Sequence, residues 1–374
     1  MRLATLDIER LQGALALAEH AVGLSEPNPR VGCVIGRDDG AVLGQGYTQE
    51  AGGAHAEVMA LREASAAGHE LAGATAWVTL EPCAHHGRTP PCADALVRAG
   101  IARVVVATGD PYPAVAGAGI ARLRAAGIRV DVADGPIARA ARDLNIGFFS
   151  RIERGRPWVR LKVAITLDGR MALADGRSQW ITGEAARVDA HRWRRRAGAI
   201  VTGVGTVVAD DPRLDVRLVP TQVQPLRVVL DPGLRTPSKA RVLQPPGTAV
   251  LVCDERRASA RTGLDLPPDV DMLGLPCTAQ GLDLPRLLVR LADRQVNELH
   301  LEGGPRLNAR WLSQGLVDEL LVYIAPRLMG PGLPLADLPP LAQLADTLDW
   351  CAAEPAESVG HDLRWRLHRV CRDV

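Results

Sequence analysis

Residues 55–92 read HAEVMALREASAAGHELAGATAWVTLEPCAHHGRTPPC, and this stretch sets the reading of the whole chain. The imidazole of His55 and the thiols of Cys83 and Cys92 supply three metal ligands. A tetrahedral zinc ion held by three protein groups keeps its fourth position for water, which separates a catalytic site from a structural one. Glu57 stands two residues after His55. At the start of a helix it would lie beside that water, as a proton shuttle and not as a ligand. A lone His or Cys is more often packing. These residue types in this order are harder to read as core.

The flanking pattern places the cluster. A helix is expected over Ala54 to Ala67, carrying His55 and Glu57 near its start. A strand over Thr75 to Leu80 delivers Glu81-Pro82-Cys83 at its carboxyl end, and Pro91 suits the first turn of a further helix bearing Cys92. Upstream, Ile8, Leu11, Leu15 and Val22 mark an amphipathic helix, and Glu26-Pro27-Asn28-Pro29 ends it as a turn. Strands follow over Val31 to Ile35 and Ala41 to Tyr47, around Asp38-Asp39-Gly40. Downstream, strands at Arg103 to Ala107 and Ile128 to Val132 alternate with helices at Ala116 to Ala126 and Pro136 to Asn145. Alternation of this kind predicts an α/β unit whose parallel or mixed sheet is covered by helices.

A chain of 374 residues is too long for one core, and 47% apolar content suffices for two. With 44 basic and 43 acidic side chains the net charge is +1, so no global field draws the protein to nucleic acid or an anionic membrane. Aromatic residues at 3% leave little for stacking single-stranded bases. Asp7, Glu9, Arg10 and Glu19 interrupt the first 23 residues, so neither a signal peptide nor a membrane span is expected there. Seven cysteines without a tight framework suit the reducing cytoplasm.

Gly147 to Arg156 shifts in composition towards arginine and glycine and reads as a linker, so domains are expected over 1–150 and 151–374. In the second half, a strand at Glu298 to Leu301 runs into Gly303-Gly304 ahead of a helix from Pro305 to Ser313. Such glycines let backbone amides approach a ligand, and a helix amino terminus favours an anion such as a dinucleotide pyrophosphate. Gly203-Val204-Gly205 lacks the third glycine of a standard dinucleotide fingerprint. The arginine-rich run Arg187 to Arg196 reads mostly as a solvated helix face.

The order His-Ala-Glu, then Pro-Cys and a second Cys, is similar to the signature of zinc-dependent nucleobase deaminases. Here eight residues separate Cys83 from Cys92 where that signature has two. Together with Pro27-Asn28-Pro29-Arg30-Val31-Gly32 and the inserted His85-His86-Gly87-Arg88-Thr89, the run resembles the deaminase half of the bifunctional riboflavin biosynthesis enzymes of the RibD family. The second half resembles the reductase of the same family, through Lys162 to Arg170, Ser178-Gln179-Trp180-Ile181-Thr182, Thr206 to Leu214 and Leu301-Glu302-Gly303-Gly304-Pro305. The resemblance covers essentially the whole chain. It implies a cytidine-deaminase-like α/β/α domain followed by a dihydrofolate-reductase-like α/β domain.

It further implies zinc on His55, Cys83 and Cys92, Glu57 as acid and base, and Asn28, His85 and Arg88 as contacts to the deaminase substrate. In the reductase it implies NADPH against Ala164, Trp180, Thr206, Asp210 and Gly304, with substrate against Ser178, Arg194, Leu214, Arg217 and Glu302. Lys162 would help orient the sugar, and Arg235 or Thr236 would meet the 2′-phosphate of the cofactor. Thr48 stands where the family often has a His, and Thr carries no charge.

The implied activity is hydrolytic deamination of a diaminopyrimidinone ribosyl phosphate, then NADPH-dependent reduction of the ribosyl group to a ribityl chain. The expected partner is this small molecule, with no nucleic acid and no membrane, in a homo-oligomer. A zinc-dependent RNA-base deaminase with an accessory binding domain is opposed by the balanced charge and scarce aromatics. A catalytically silent metabolite sensor is opposed by Glu57, which a binder does not need.

Overall fold

The computed structural model describes residues 3–84, 90–259, 266–267 and 269–370. The chain divides into two compact units, Met1–Gly155 and Arg156–Val374. Residue 150 lies inside the helix Ile146–Arg154, so the stretch read as a linker is helical. Phe148 and Phe149 are buried and anchor that helix to the first core, which is why it does not behave as a linker. Gly155, at φ 66°, closes it.

The first unit is built on a five-stranded mixed sheet in the order Val42–Tyr47, Gly32–Gly36, Thr75–Val78, Arg103–Val106, Arg129–Val132. Pairings among the first three strands are antiparallel and the remainder parallel. Helices Thr5–Ala18, Ala56–Ala66, Cys92–Arg98, Ala118–Ala125 and Gly135–Leu144 follow the expected alternation. One close approach positions the chemistry. A Cβ built on Gly46 would lie 2.5 Å from Cβ of Met59 and 2.7 Å from the carbonyl oxygen of Ala56. The bare backbone there lets the helix Ala56–Ala66 lie directly on the sheet, which fixes where His55 and Glu57 emerge.

The second unit carries a ten-stranded sheet. Its main path runs Val270–Leu275, Ala249–Asp254, Leu226–Leu230, Ala199–Gly203, Glu298–Leu301, Trp158–Thr166, Glu319–Ala325, Asp362–Arg369, Trp350–Ala352. Pairings are parallel from Val270–Leu275 through Glu319–Ala325. The carboxyl-terminal strands then add antiparallel. The central strands alternate, with Val159, Leu161, Val201, Val228, Leu299 and Leu301 in one core cluster while Arg160, Arg227, Glu298 and His300 are buried at the positions between. In open parallel sheets, ligands bind beyond the carboxyl ends of the strands. Among the described residues, no helix is long and apolar enough to cross a membrane.

Candidate active sites

In the first unit, His55 is the residue preceding the first turn of the helix Ala56–Ala66. Cys83 follows the strand Thr75–Val78, and Cys92 opens the helix Cys92–Arg98, with Pro91 in the capping position and not in the first turn. Three elements thus converge. Nδ1 of His55 lies 3.2 Å from Sγ of Cys92 and 3.6 Å from Sγ of Cys83. All three ligand atoms lie within 4.8 Å of one another. Zinc–sulfur and zinc–nitrogen bonds arranged tetrahedrally put neighbouring ligand atoms about 3.5 Å apart, so the donor set fits zinc in spacing and in chemistry. The backbone N–H of Cys92 donates to Sγ of Cys83 at 3.3 Å, favouring the thiolate that a metal requires.

Glu57 is 3% exposed, on the first turn of the same helix. Burial, then the negative charge of Cys83, pushes its carboxyl up to about 7. The turn bearing Cys83 is held by Glu81, which the sequence did not single out. Its Oε2 accepts from the N–H groups of Gly117 at 3.0 Å and Asp110 at 3.3 Å, and its Oε1 from Ile120 at 3.0 Å. One buried carboxylate therefore ties the ligand turn to the start of the helix Ala118–Ala125.

Asn28 is half-buried in the Pro27–Arg30 turn. That turn is pinned from below. Arg30 N donates to Oδ1 of Asn145 at 2.7 Å, and Nδ2 of Asn145 returns a bond to the Arg30 carbonyl at 2.8 Å. His85 and Arg88 lie outside the described residues. Thr48 is buried and spends its hydroxyl on the backbone of Val31, at 3.2 Å from N and 3.4 Å from O.

In the second unit, a pocket of about 380 Å³ opens at the carboxyl ends of the parallel strands. It brings together Ala164, Ser178, Trp180, Arg194, Thr206, Asp210, Leu214, Arg217 and Glu302, all named from the sequence, and also Lys162. Trp180 is 59% exposed beneath the guanidinium of Arg187, which stands 4.8 Å from its ring centroid, so it is no core residue. Arg194 and Glu302 form a two-pronged ion pair, Nε to Oε1 at 2.6 Å and Nη2 to Oε2 at 2.9 Å. Burial alone would raise the Glu302 carboxyl, but the Arg194 charge and the His300 imidazole, 3.4 Å away, outweigh it and hold the group well below the ordinary carboxylate range. Burial pushes Lys162 down.

Gly303 and Gly304 serve different ends. A Cβ on Gly303 would lie 2.7 Å from Oδ1 of Asn308, whereas one on Gly304 meets nothing within 4 Å. Packing thus forces the first glycine. The second, at the amino end of the helix Pro305–Ser313, leaves open room that suits the phosphates of a dinucleotide. Gly304 itself does not line the pocket; its neighbour Gly303 does. The 231–237 turn lies outside the lining too. Thr236 directs both its N–H and its hydroxyl to Asp231, at 2.6 and 2.7 Å, and Arg235 is exposed.

The solvated-face reading of Arg187 to Arg196 is corrected by the structure. Arg187 and Arg194 line the pocket, Arg196 pairs with buried Glu298 at 3.0 Å, and Arg192 alone of these arginines is exposed. The reason is a pair of carboxylates on one distant strand and its end, Glu298 and Glu302, which take Arg196 and Arg194. Positions 187, 191 and 194 share one helix face by their spacing, a signal that could have marked His191 and Arg187.

A catalytic-type zinc cluster on a deaminase-like sheet, joined to a reductase-like parallel sheet with a pocket at its strand ends, defines a two-unit deaminase and reductase. Comparisons with known proteins agree. A family profile described as the cytidine and deoxycytidylate deaminase zinc-binding region matches residues 5–108, and one described as the RibD C-terminal domain matches residues 157–367. The chain is 43% identical over 358 residues to the riboflavin biosynthesis protein RibD of Aquifex aeolicus, covering 96% of this chain and 97% of that one. It is 46% identical over 349 residues to that of Escherichia coli, covering 89% and 91%. The solved structure of Acinetobacter baumannii RibD aligns with a TM-score of 0.86 at 40% identity, covering 98% of this chain and 99% of that one. A deaminase and reductase structure from Thermotoga maritima aligns at 0.87 with 30% identity over the same shares. The chain belongs to the RibD family of bifunctional riboflavin biosynthesis enzymes.

Proposed function

We propose that this chain hydrolyses the amine from 2,5-diamino-6-ribosylamino-4(3H)-pyrimidinone 5′-phosphate and then reduces 5-amino-6-(5-phosphoribosylamino)uracil with NADPH. The observation that carries the first step is the convergence of His55, Cys83 and Cys92 within 4.8 Å of one another, in a cluster to which buried Glu57 is electrostatically coupled. Zinc held there supplies the Lewis acidity that makes water a nucleophile at neutral pH. Glu57 takes a proton from the attacking water and hands it to the departing amine nitrogen, while burial keeps bulk water from competing. Asn28 contacts the pyrimidine, and His85 and Arg88 hold the sugar phosphate.

For the second step, NADPH supplies the hydride. Ala164, Trp180, Thr206, Asp210 and Gly304 orient it, and Ser178, Arg194, Leu214, Arg217 and Glu302 hold the ribosyl phosphate. Arg194 and Arg217 meet the phosphate, because a guanidinium can bond two of its oxygens at once. Lys162, drawn towards neutrality by burial, stands beside the sugar. Catalysis here rests on positioning.

One assay tests both steps. Purified protein given the diaminopyrimidinone phosphate and NADPH should release ammonia and then consume NADPH in equal amount. Ammonia without NADPH oxidation removes the reductase reading, and neither product removes both.

A further inference from the structure

His191 lies near the middle of the helix Glu184–Arg196, one turn before Arg194, and is 5% exposed. Its ring touches both residues to which the substrate phosphate is assigned above, Arg217 through its backbone and Arg194 through its guanidinium. The backbone N–H of Arg217 donates to Nδ1 at 3.2 Å, and Nε2 lies 3.5 Å from Nη1 of Arg194. The Arg217 contact is the shorter of the two, and a nitrogen that accepts an N–H carries no hydrogen of its own. A neutral ring therefore bears its hydrogen on Nε2.

Arginine offers donors only. One hydrogen of Arg194 Nη1 goes to the carbonyl of Asp215 at 3.1 Å, and the other faces the imidazole. Two donors thus point at each other, and among the described residues no acceptor stands between them. Such an arrangement is relieved by one bridging anion oxygen. Both groups line a hollow of about 320 Å³ shared with Arg217, Lys162 and Glu302.

The surroundings keep the ring neutral. Burial, then the charges of Arg194 and Arg217, press His191 down to about 4, against the opposite pull of Glu302 and Asp215. The Arg217 N–H occupies the nitrogen that protonation would need.

We propose that His191 binds the substrate phosphate as a neutral hydrogen-bond donor, with one phosphate oxygen accepting from both its Nε2–H and Nη1 of Arg194. The proposal rests on the assignment of the phosphate to Arg194 and Arg217. It adds a group that distinguishes the phosphorylated ribosyl substrate from the free riboside without itself titrating near neutral pH.

Asparagine and glutamine separate the two ring nitrogens. H191N retains an acceptor near Nδ1 for Arg217 and lacks a donor at Nε2, whereas H191Q places an amide N–H near Nε2. In the full chain, H191N should raise KM for the phosphorylated reductase substrate about tenfold or more, the worth of a hydrogen bond to a charged group. Its kcat should stay within about twofold, since ground-state and transition-state binding are lost alike. The unphosphorylated riboside should be used as well as by the unaltered protein, and H191Q should recover most of the loss.

Equal impairment with both substrates would mean a packing role and overturn the proposal, as would no effect with either. R194M separates the underlying assignment. If R194M also fails to discriminate phosphate from riboside, the phosphate does not lie there; if it discriminates and H191N does not, His191 alone is wrongly placed. Should H191N not fold, the unaltered protein still decides. Ribose 5-phosphate should shift the imidazole Nε2–H nuclear resonance that H191Q lacks, and an unmoved signal would refute the contact.

Discussion

The carboxylate of Glu302 grips the guanidinium of Arg194 with both oxygens, at 2.6 and 2.9 Å, where the strand Glu298–Leu301 ends and the helix Glu184–Arg196 passes over it. The pair is mostly buried, at 17% and 13% side-chain exposure. It joins two elements a hundred residues apart in the chain and shapes the floor of the reductase pocket.

Removing one partner strands the other. E302Q should lower reductase kcat/KM by at least about tenfold and destabilise the second unit by about 2 kcal/mol, the low end for breaking a buried hydrogen-bonded charge pair. Ammonia release should be unchanged. Parallel assays of both steps, with thermal unfolding, check this.

The deaminase cluster makes a separable prediction. E57Q should abolish ammonia release while zinc content, read by elemental analysis, stays at that of the unaltered protein. C92S should lose both the metal and deamination. A strong chelator should do the same, and NADPH oxidation with the deaminated substrate should survive every one of these treatments. Deamination by E57Q at an undiminished rate would sink the proton-shuttle role.

A pH prediction comes from the second unit's buried ion network. Glu319 is fully buried and bonded to Arg160 and Arg366. Burial would raise its carboxyl, but the two guanidinium charges outweigh it and hold the group at about 2, against an ordinary value of 4.5. A depressed carboxyl stabilises the fold above its unfolded value and loses that contribution as pH falls towards its folded one. The stake is about 3 kcal/mol. Urea unfolding should therefore show E319Q fully penalised at neutral pH, with the gap to the unaltered protein closing below about pH 4.5. A gap constant across that range would refute the linkage.

The glycine pair should divide by readout. G303A must displace Asn308, from an approach of 2.7 Å, and should cost about 1–3 kcal/mol of second-unit stability. G304A has room, so stability should hold while KM for NADPH rises. Calorimetry and cofactor titration distinguish them.

Glu81 tests the ligand turn. E81A leaves the N–H groups of Gly117 and Ile120 without their shared acceptor, and should weaken zinc affinity about 10–100-fold, as removal of a group supporting metal ligands does. Competition with a coloured chelator measures it.

Much of this was legible in the chain. The strand and helix order of the first unit follows from period and turn chemistry, because apolar residues repeating at helical or strand spacing have one way to bury themselves. The ligand set His55, Cys83 and Cys92 was readable because few other roles need those groups in that order. The arginines of Arg187 to Arg196 were not. By composition they suit solvent, and only the sheet reveals that Glu298 and Glu302 face Arg196 and Arg194.

Sequence alone settled what chemistry the side chains offer and which local elements carry them, since both depend on residue type and on neighbours a few positions away. Tertiary structure decided who meets whom: that Glu302 clasps Arg194, that Glu81 holds the Cys83 turn, and that His191 meets the Arg194 guanidinium and the Arg217 backbone. Those pairings span loops of tens to more than a hundred residues. Their geometry is fixed by sheet order and close packing, which no local pattern encodes.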